Sequence, residues 1–399
     1  MLEEIVNDRK KKLARIKGEN LDPYPARTKT PVAISLVLKK FGAFLRAGKK
    51  VVVAGRIMSL RDQGSLIFVN LRDESGEIQL VIKKDNHKDF LFWKSVLDRG
   101  DIVSATGTLF ITKSGQKSVE TKLVQMLAKS ILPIPTEWFG VEDLETRLRK
   151  RYVDLMLDPA LREVFRKKNI FWQTFREELT KEGFLEVELP VFEALPGGAE
   201  AEPFKTYHNS LDTDFYLRIS LELPLKKLLV GGFNNVFEIG RIFRNEGMDK
   251  EHLQDYAQLE FYWAYRDYND LMKLVESMYK KVIKRVTGGL TTSYQGQKLN
   301  WGRKWPKVDY IKAFKDANNG LDPISASEEE LIRRAKDAGA APEPHAGRGR
   351  LIDLIYKKTV RPKLVQPCFL VNPPVAIEPL AKRNPENLEV VERMQVIAG

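Results

Sequence analysis

Between residues 235 and 265 the chain carries an arginine, a glutamate, a glutamine and two tyrosines at spacings that place them on one surface. NVFEIGRIFRNEG and DYAQLEFYWAY each read as a strand, and residues 247–254 read as the loop of an antiparallel hairpin between them. Side chains alternate faces along a strand. Ala257, Leu259, Phe261 and Trp263 therefore share one face, with Phe237, Ile239 and Phe243 sharing a face of the first strand, and this is the core side. Tyr256, Gln258, Glu260 and Tyr262 take the other face, and Arg244 projects opposite to Phe243. An arginine fork donates two parallel hydrogen bonds to a phosphate or carboxylate. A glutamate suits an ammonium group, because a desolvated cation needs an acidic partner. A tyrosine ring can stack on a base. The set fits a ligand with a nucleotide part and an amino-acid part. The alternative for the same residues is a solvated sheet face.

These residues need a frame, and the flanking sequence predicts one. A helix over 161–181 has Val164, Phe165, Phe171, Trp172, Phe175 and Leu179 at helical spacing, with Gly183 placed to end it. FLEVELPVF reads as a strand that Pro190 confines to an edge or an interface. LELPLKKLLVGG reads as a helix, and another follows near 268–286. Residues 300–399 are rich in proline and short elements, and the pattern does not order them.

The first third has a different texture. VVVAGRIMSL, SLIFVNLRD, EIQLVIKK, DIVSATGTLFIT and SVETKLVQML are short, β-branched and mostly alternating, with turn residues between them and a helix-like KDFLFWKSVLDRG between the third and fourth. Five strands with a helix at that place predict an OB-fold barrel, which binds single-stranded nucleic acid on one face. Residues 1–60 hold 14 Lys/Arg and 5 Asp/Glu, a net +9 of the chain's formal +12. That clustering favours a polyanion partner. For Arg9-Lys10-Lys11-Lys12 the competing reading is a solvated helix face, and a weak apolar stripe (Leu2, Ile5, Val6, Leu13, Ile16) predicts a helix that docks.

Composition excludes several classes. The chain of 399 residues has 43% hydrophobic and 30% charged residues and no apolar run of membrane-spanning length, so no membrane role is expected. One cysteine, Cys368, rules out an internal disulfide framework. Four histidines, none paired at ligand spacing, make a protein-held zinc site improbable. The reducing cytoplasm is the expected compartment.

At this point the residues carry a resemblance. Arg244-Asn245-Glu246-Gly247, His252 and DYAQLEFYWAY resemble motif 2 of the class II aminoacyl-tRNA synthetases. The helix ending at Gly183 with FLEVELPVF resembles motif 1. RYVDLMLDP, PGGAEAEPFKTYHNSLDTDFYLRISLELPLKKLLVGGFNNVFEIG and PVAIEPLAKR resemble the lysine-specific subgroup, and GRIMSLRDQGSLIFVNLRDESGEIQLVIKKD resembles its anticodon-binding domain. The implied fold class is α+β: an OB-fold barrel, then a class II antiparallel sheet with helices. The implied domains are a basic extension (1–48), the OB-fold (49–132), a linker (133–150) and the catalytic domain (151–399).

The resemblance implies a lysine–tRNA ligase that joins L-lysine to its tRNA through lysyl-adenylate, with ATP as substrate, Mg2+ assisting and a homodimer joined through residues 163–192. Arg244 would bridge the lysine carboxylate and the α-phosphate, His252 would meet the γ-phosphate, Tyr256 would stack on adenine, and Glu246 would lie near adenine or the tRNA acceptor end. Gly198 and Glu222 would hold the α-ammonium, and Glu260 and Tyr262 the ε-ammonium. Phe68 and Gln79 would take anticodon bases, with Arg56 beside them. Without the resemblance, Phe68 also reads as barrel core. The motif 2 loop departs from the family's His-Asn-Pro-Glu-Phe, reading His252-Leu253-Gln254-Asp255-Tyr256. No GLGxGxDR-like motif 3 is present, so a chain truncated before motif 3 with little activity of its own is expected, as is the alternative of a catalytically silent tRNA-binding or lysine-sensing protein. A paralogue that lysylates a translation factor fits less well, because it lacks the OB-fold.

Overall fold

The computed structural model describes residues 2–135, 143–247, 249 and 252–399. Part of the expected hairpin loop (248, 250 and 251) and Gly140 of the expected linker lie outside the described residues. The chain divides into two units, one up to Pro159 and one from Ala160.

In the first unit, helix α1 (Leu2–Gly18) is docked through one end. Ile16 is fully buried, whereas Leu2 is 58% exposed, so the apolar stripe is only half used. Arg9, within the basic run, is not a solvated charge. It is buried, and its guanidinium donates to the carbonyls of Ser130 (3.1 Å), Leu132 (3.1 Å) and Arg99 (3.0 Å). Short helices α2 (Ile34–Lys39) and α3 (Phe41–Arg46) lead into strands β1 (Lys50–Asp62), β2 (Leu66–Arg72) and β3 (Glu77–Lys83). Helix α4 (Phe90–Val96) precedes β4 (Ile102–Ile111) and β5 (Lys117–Ala128).

The five strands close into a barrel in the order β1-β2-β3-β5-β4. The pairing is antiparallel except between β3 and β5. Alternate residues fill it: Ile67, Val69 and Leu71 on β2 pack with Ile78, Leu80 and Ile82 on β3. Gly107 sits where the β4–β5 register slips, and a Cβ there would overlap the Glu120 carbonyl. Helices α5 (Leu144–Arg149) and α6 (Arg151–Leu157) end the unit.

The second unit opens with α7 (Pro159–Lys181), and Gly183 closes it at φ +84°. The single strand expected from FLEVELPVF is instead two short strands in different sheets. β6 (Leu185–Glu186) pairs parallel to β10, and β7 (Phe192–Glu193) pairs with β9. Pro190 lies between them and has no N–H to continue a ladder. β8 (Lys205–His208) and β9 (Thr213–Leu217) form a hairpin that leads into α8 (Glu222–Val230).

β10 (Asn235–Phe243) and β11 (Asp255–Trp263) pair from Asn235↔Trp263 to Phe243↔Asp255 in the sheet β11-β10-β6. α9 (Tyr268–Thr287) covers the core side, where Phe237, Ile239, Leu259, Phe261 and Trp263 pack with Met278 and Val282. The hairpin β12 (Thr291–Tyr294) and β13 (Gln297–Asn300) follows. The remaining segment, which the sequence left unordered, comprises β14 (Lys307–Asp309), α10 (Tyr310–Ala317), α11 (Glu328–Asp337), α12 (Arg348–Thr359), β15 (Cys368–Val371) and β16 (Met394–Ile397). It has its own core around Phe314, Leu331 and Ile355. Among the described residues no helix is long and apolar enough to cross a membrane.

Candidate functional site

The five residues Arg218–Glu222, from the end of β9 to the first residue of α8, tie the site together. Arg218 is buried and pairs with buried Glu238 at 2.7 Å. Its Nε also donates to the Arg241 carbonyl (2.8 Å) and its Nη1 to the Leu189 carbonyl (3.0 Å). Gly240 makes room for this pair, since a Cβ there would overlap the Arg218 guanidinium. The Ile219 carbonyl accepts from Arg244 Nε at 3.4 Å. Ser220 Oγ donates to Glu260 Oε1 (3.2 Å) and accepts from the Glu222 amide (3.1 Å).

Glu260 lies directly across the hairpin from Glu238. Two carboxylates opposite one another repel. Here only Glu238 is answered by an arginine. Burial pushes its carboxyl above the ordinary range, and Arg218 offsets only part of that rise. Glu260 instead accepts from Ser220, the Leu221 amide (3.3 Å), Gln258 and the Tyr262 hydroxyl (3.5 Å). Among the described residues no cation lies at ion-pair distance from it. Burial, then the Glu260 and Glu222 charges, push the Tyr262 hydroxyl well above its ordinary value, so it stays a proton donor.

Gly198 joins this group at φ +86°, where a Cβ would lie 3.0 Å from Ser220 Oγ and 3.1 Å from Glu222 Cβ. Gly198, Glu222, Glu260 and Tyr262 are therefore brought together around Ser220. The sequence reading passed over Arg218, Ser220 and Glu238. Glu238 was within reach of it: it precedes Arg244 by six residues, an even offset that puts it on the site face.

Arg244, Glu246, His252 and Tyr256 line a recess of about 310 Å³ with Gly247, Leu253 and Gln254. The Arg244 guanidinium lies 5.8 Å from the Tyr256 ring centroid. Its amide donates to the Gln254 carbonyl at 2.8 Å, and Gln254 Nε2 reaches the Glu246 carbonyl at 3.2 Å, which closes the base of the loop. His252 Nδ1 lies 2.7 Å from Asp249, leaving Nε2 as the nitrogen available to a ligand. Asp255, the departure from the family's loop, pairs with Arg241 at 3.2 Å. Among the described residues no group of three or more His, Cys, Asp or Glu is arranged to hold a metal ion.

On the barrel, Phe68 and Gln79 line a recess of about 540 Å³ with Arg61, Lys83, Phe110 and Lys113. Phe68 is outside the barrel core, because the inward positions of β2 are Ile67, Val69 and Leu71. Ser118 Oγ donates to Gln79 Oε1 at 2.9 Å, which leaves the Gln79 amide hydrogens to face a ligand.

Arg56 does not line the recess. It pairs in register with Arg72 and Ile102, and its guanidinium donates to the Gly100 carbonyl at 2.8 Å. The basic residue the strand brings to Phe68 is Arg61, its direct cross-strand partner. Phe110 is a second ring in the recess, with the Lys83 ammonium 5.1 Å from its centroid. Register could have found Arg61, but the β1 irregularity between Ile57 and Ser59 hides it from strict alternation.

Two family models match the chain: tRNA synthetases class II (D, K and N) over residues 143–398, and OB-fold nucleic acid binding domain over residues 51–134. Among curated relatives, the lysine–tRNA ligase of Roseiflexus sp. (strain RS-1) is 41% identical over 403 aligned positions, covering 100% of this chain and 82% of that protein. The lysine–tRNA ligase of Roseiflexus castenholzii is 42% identical with the same coverage. That of Pelotomaculum thermopropionicum is 38% identical, over 99% of this chain and 78% of the relative. The likeness runs through both units: the chain belongs to the class II tRNA synthetases for aspartate, lysine and asparagine, and among them to the lysine–tRNA ligases.

Proposed function

We propose that the chain activates L-lysine with ATP and transfers it to a lysine tRNA. One observation carries the choice of lysine. Of two glutamates facing each other across the hairpin, Glu238 has its arginine, and among the described residues Glu260 has none. An unanswered acid beside a protonated tyrosine is a receptor for an ammonium group. In this reading Glu260 and Tyr262 hold the ε-ammonium, and Glu222 with the Gly198 backbone holds the α-ammonium. The lysine carboxylate then points toward Arg244.

Arg244 spans that carboxylate and the α-phosphate, holding two anions together against their repulsion. His252 meets the γ-phosphate through Nε2, Tyr256 stacks on adenine, and Glu246 lies toward adenine or the acceptor end. A carboxylate oxygen attacks the α-phosphorus, the α–β bridging bond breaks, and pyrophosphate leaves with its electron pair. A hydroxyl of the terminal adenosine then attacks the lysyl carbonyl, the bond from that carbon to the phosphate oxygen breaks, and AMP leaves with its electron pair as the hydroxyl proton passes to the phosphate or to water. Magnesium would arrive with ATP and neutralise phosphate charge; among the described residues no cluster of carboxylates is arranged to hold it.

On the barrel, Phe68 and Gln79 take bases of a U-rich anticodon loop, since lysine codons pair with such anticodons, and Arg61 supplies the charge first assigned to Arg56. The chain works in the cytoplasm as a homodimer. The exposed Val164 (58%) and Phe165 (53%) of α7 support a self-complementary face. Sedimentation of a folded monomer at micromolar concentration overturns the dimer. Calorimetric titration tests the lysine site: lysine binds, norleucine, which lacks the ε-ammonium, binds far more weakly, and Glu260→Gln erases the difference. Equal binding of both by the wild-type chain overturns the reading.

A further inference from the structure

Helix α8 brings one more charge to the amino-acid pocket. Lys226 lies one turn after Glu222, its Nζ 2.6 Å from Glu222 Oε1 and 5.9 Å from the centroid of the Tyr262 ring. A Glu–Lys pair at this spacing is ordinary on a helix surface and weak by itself. The second contact is not ordinary, because an ammonium over an aromatic face gains from the ring's quadrupole. The two groups that Lys226 touches, Glu222 and Tyr262, are both assigned to substrate lysine in the reading above, on which this inference rests. The ammonium is at the end of a flexible stem and half exposed, so it can leave.

We infer that Lys226 is a tethered stand-in for the substrate: its ammonium occupies Glu222 in the empty site, and the α-ammonium of the incoming amino acid displaces it. Lys226 is thus a positioning residue that acts through Glu222. While it occupies that carboxylate, the observed affinity of a competing ligand is reduced by the fraction of molecules whose site is open. The reduction applies equally to every ligand that needs Glu222 and not at all to one that does not.

This gives a test that a merely structural role does not meet. Lysine and norleucine both carry an α-ammonium, whereas 6-aminohexanoate keeps the carboxylate and the distal ammonium but lacks it. In calorimetric titrations of the whole chain, Lys226→Met tightens lysine and norleucine by one common, several-fold factor and leaves 6-aminohexanoate unchanged. Lys226→Arg, which keeps a cation there, stays near wild type. Unchanged or weaker lysine binding in Lys226→Met overturns the inference, and so does an equal gain by 6-aminohexanoate, which marks a general field effect.

A second readout needs no ligand. In the wild-type chain the Lys226 amine reacts with acetic anhydride more slowly than in Glu222→Gln, measured by peptide mass spectrometry; equal rates overturn the pairing. The underlying reading fails separately. If Glu260→Gln leaves the preference for lysine over norleucine intact, or the wild-type chain binds none of the three ligands, the pocket is not the amino-acid site and the inference falls with it.

Discussion

The barrel recess and the hairpin site both gather aromatic rings and charges, but they hold them in different ways. On the barrel, Phe68, Gln79 and Phe110 are outward residues of strands whose inward residues have already built a complete core. A ring offered to a base needs no counter-charge, so these side chains tolerate partial exposure and little prearrangement. On the hairpin, the working groups are a carboxylate and a guanidinium packed among buried residues, and each needs a partner. Arg218 is buried to answer Glu238, Gly240 is bare to admit it, and Ser220 links Glu260 to the start of α8. Stacking sites can be placed on a finished fold, whereas charge-reading sites have to be built into it.

If that contrast is right, the largest effect comes from breaking the buried pair. Arg218→Met leaves Glu238 buried and unpaired, and should destabilise the second unit by about 3–5 kcal/mol. Chemical denaturation reads this directly, and the double variant with Glu238→Met should recover most of the loss. A cost near zero for the single variant would place the pair outside the site's framework. Next in size, Arg244→Ala removes a charge-assisted contact to phosphate and should weaken ATP binding by roughly 1.5–3 kcal/mol in a direct titration, with folding unchanged.

The barrel effects should be comparable or smaller, and specific to bases. Phe68→Ala should lower affinity for a lysine-tRNA anticodon stem-loop by about 1–3 kcal/mol, one stack's worth, while leaving thermal stability nearly unchanged. Arg61→Ala should weaken all RNAs alike and reduce the salt dependence of binding by about one phosphate contact, and Arg56→Ala should not. A larger salt effect for Arg56 would restore the position first expected from the sequence.

The smallest effect concerns pH. His87 is buried with neither ring nitrogen bonded, and burial lowers its pKa from the ordinary 6.5. The unfolded chain therefore takes up this proton more readily than the folded barrel. Stability contributed by His87 is complete above pH 6.5 and declines below it, by at most about 1.4 kcal/mol per pH unit, until the folded histidine also protonates. Denaturation midpoints of the first unit across that range should fall in the wild-type chain and stay flatter in His87→Phe.

Much of this was legible beforehand, and for a local reason. The β10–β11 hairpin follows strict alternation over nine residues a side, so its register and both of its faces could be read from period alone. The barrel strands and α7 with its Gly183 stop were equally plain. FLEVELPVF was misread because a short apolar run does not say which sheet each half joins. Residues 300–399 were unreadable because β14 and β15 are parallel neighbours whose paired residues, such as Lys307 and Phe369, lie far apart in the chain, a pairing that no local pattern announces.

The sequence by itself determined which residues share each face of the hairpin and of the barrel strands, since alternation and helical period are properties of a few consecutive residues. It also determined the division between an OB-fold barrel and a charged hairpin. Only the tertiary structure decided which charges are spent internally and which remain for a ligand. Arg9 serves three carbonyls and Arg56 one, and Arg218 neutralises Glu238. Glu260, directly opposite, has no such cation at ion-pair distance among the described residues. Whether a charge is compensated depends on what lies within a few ångströms of it in space, and those neighbours come from segments that the local pattern does not connect.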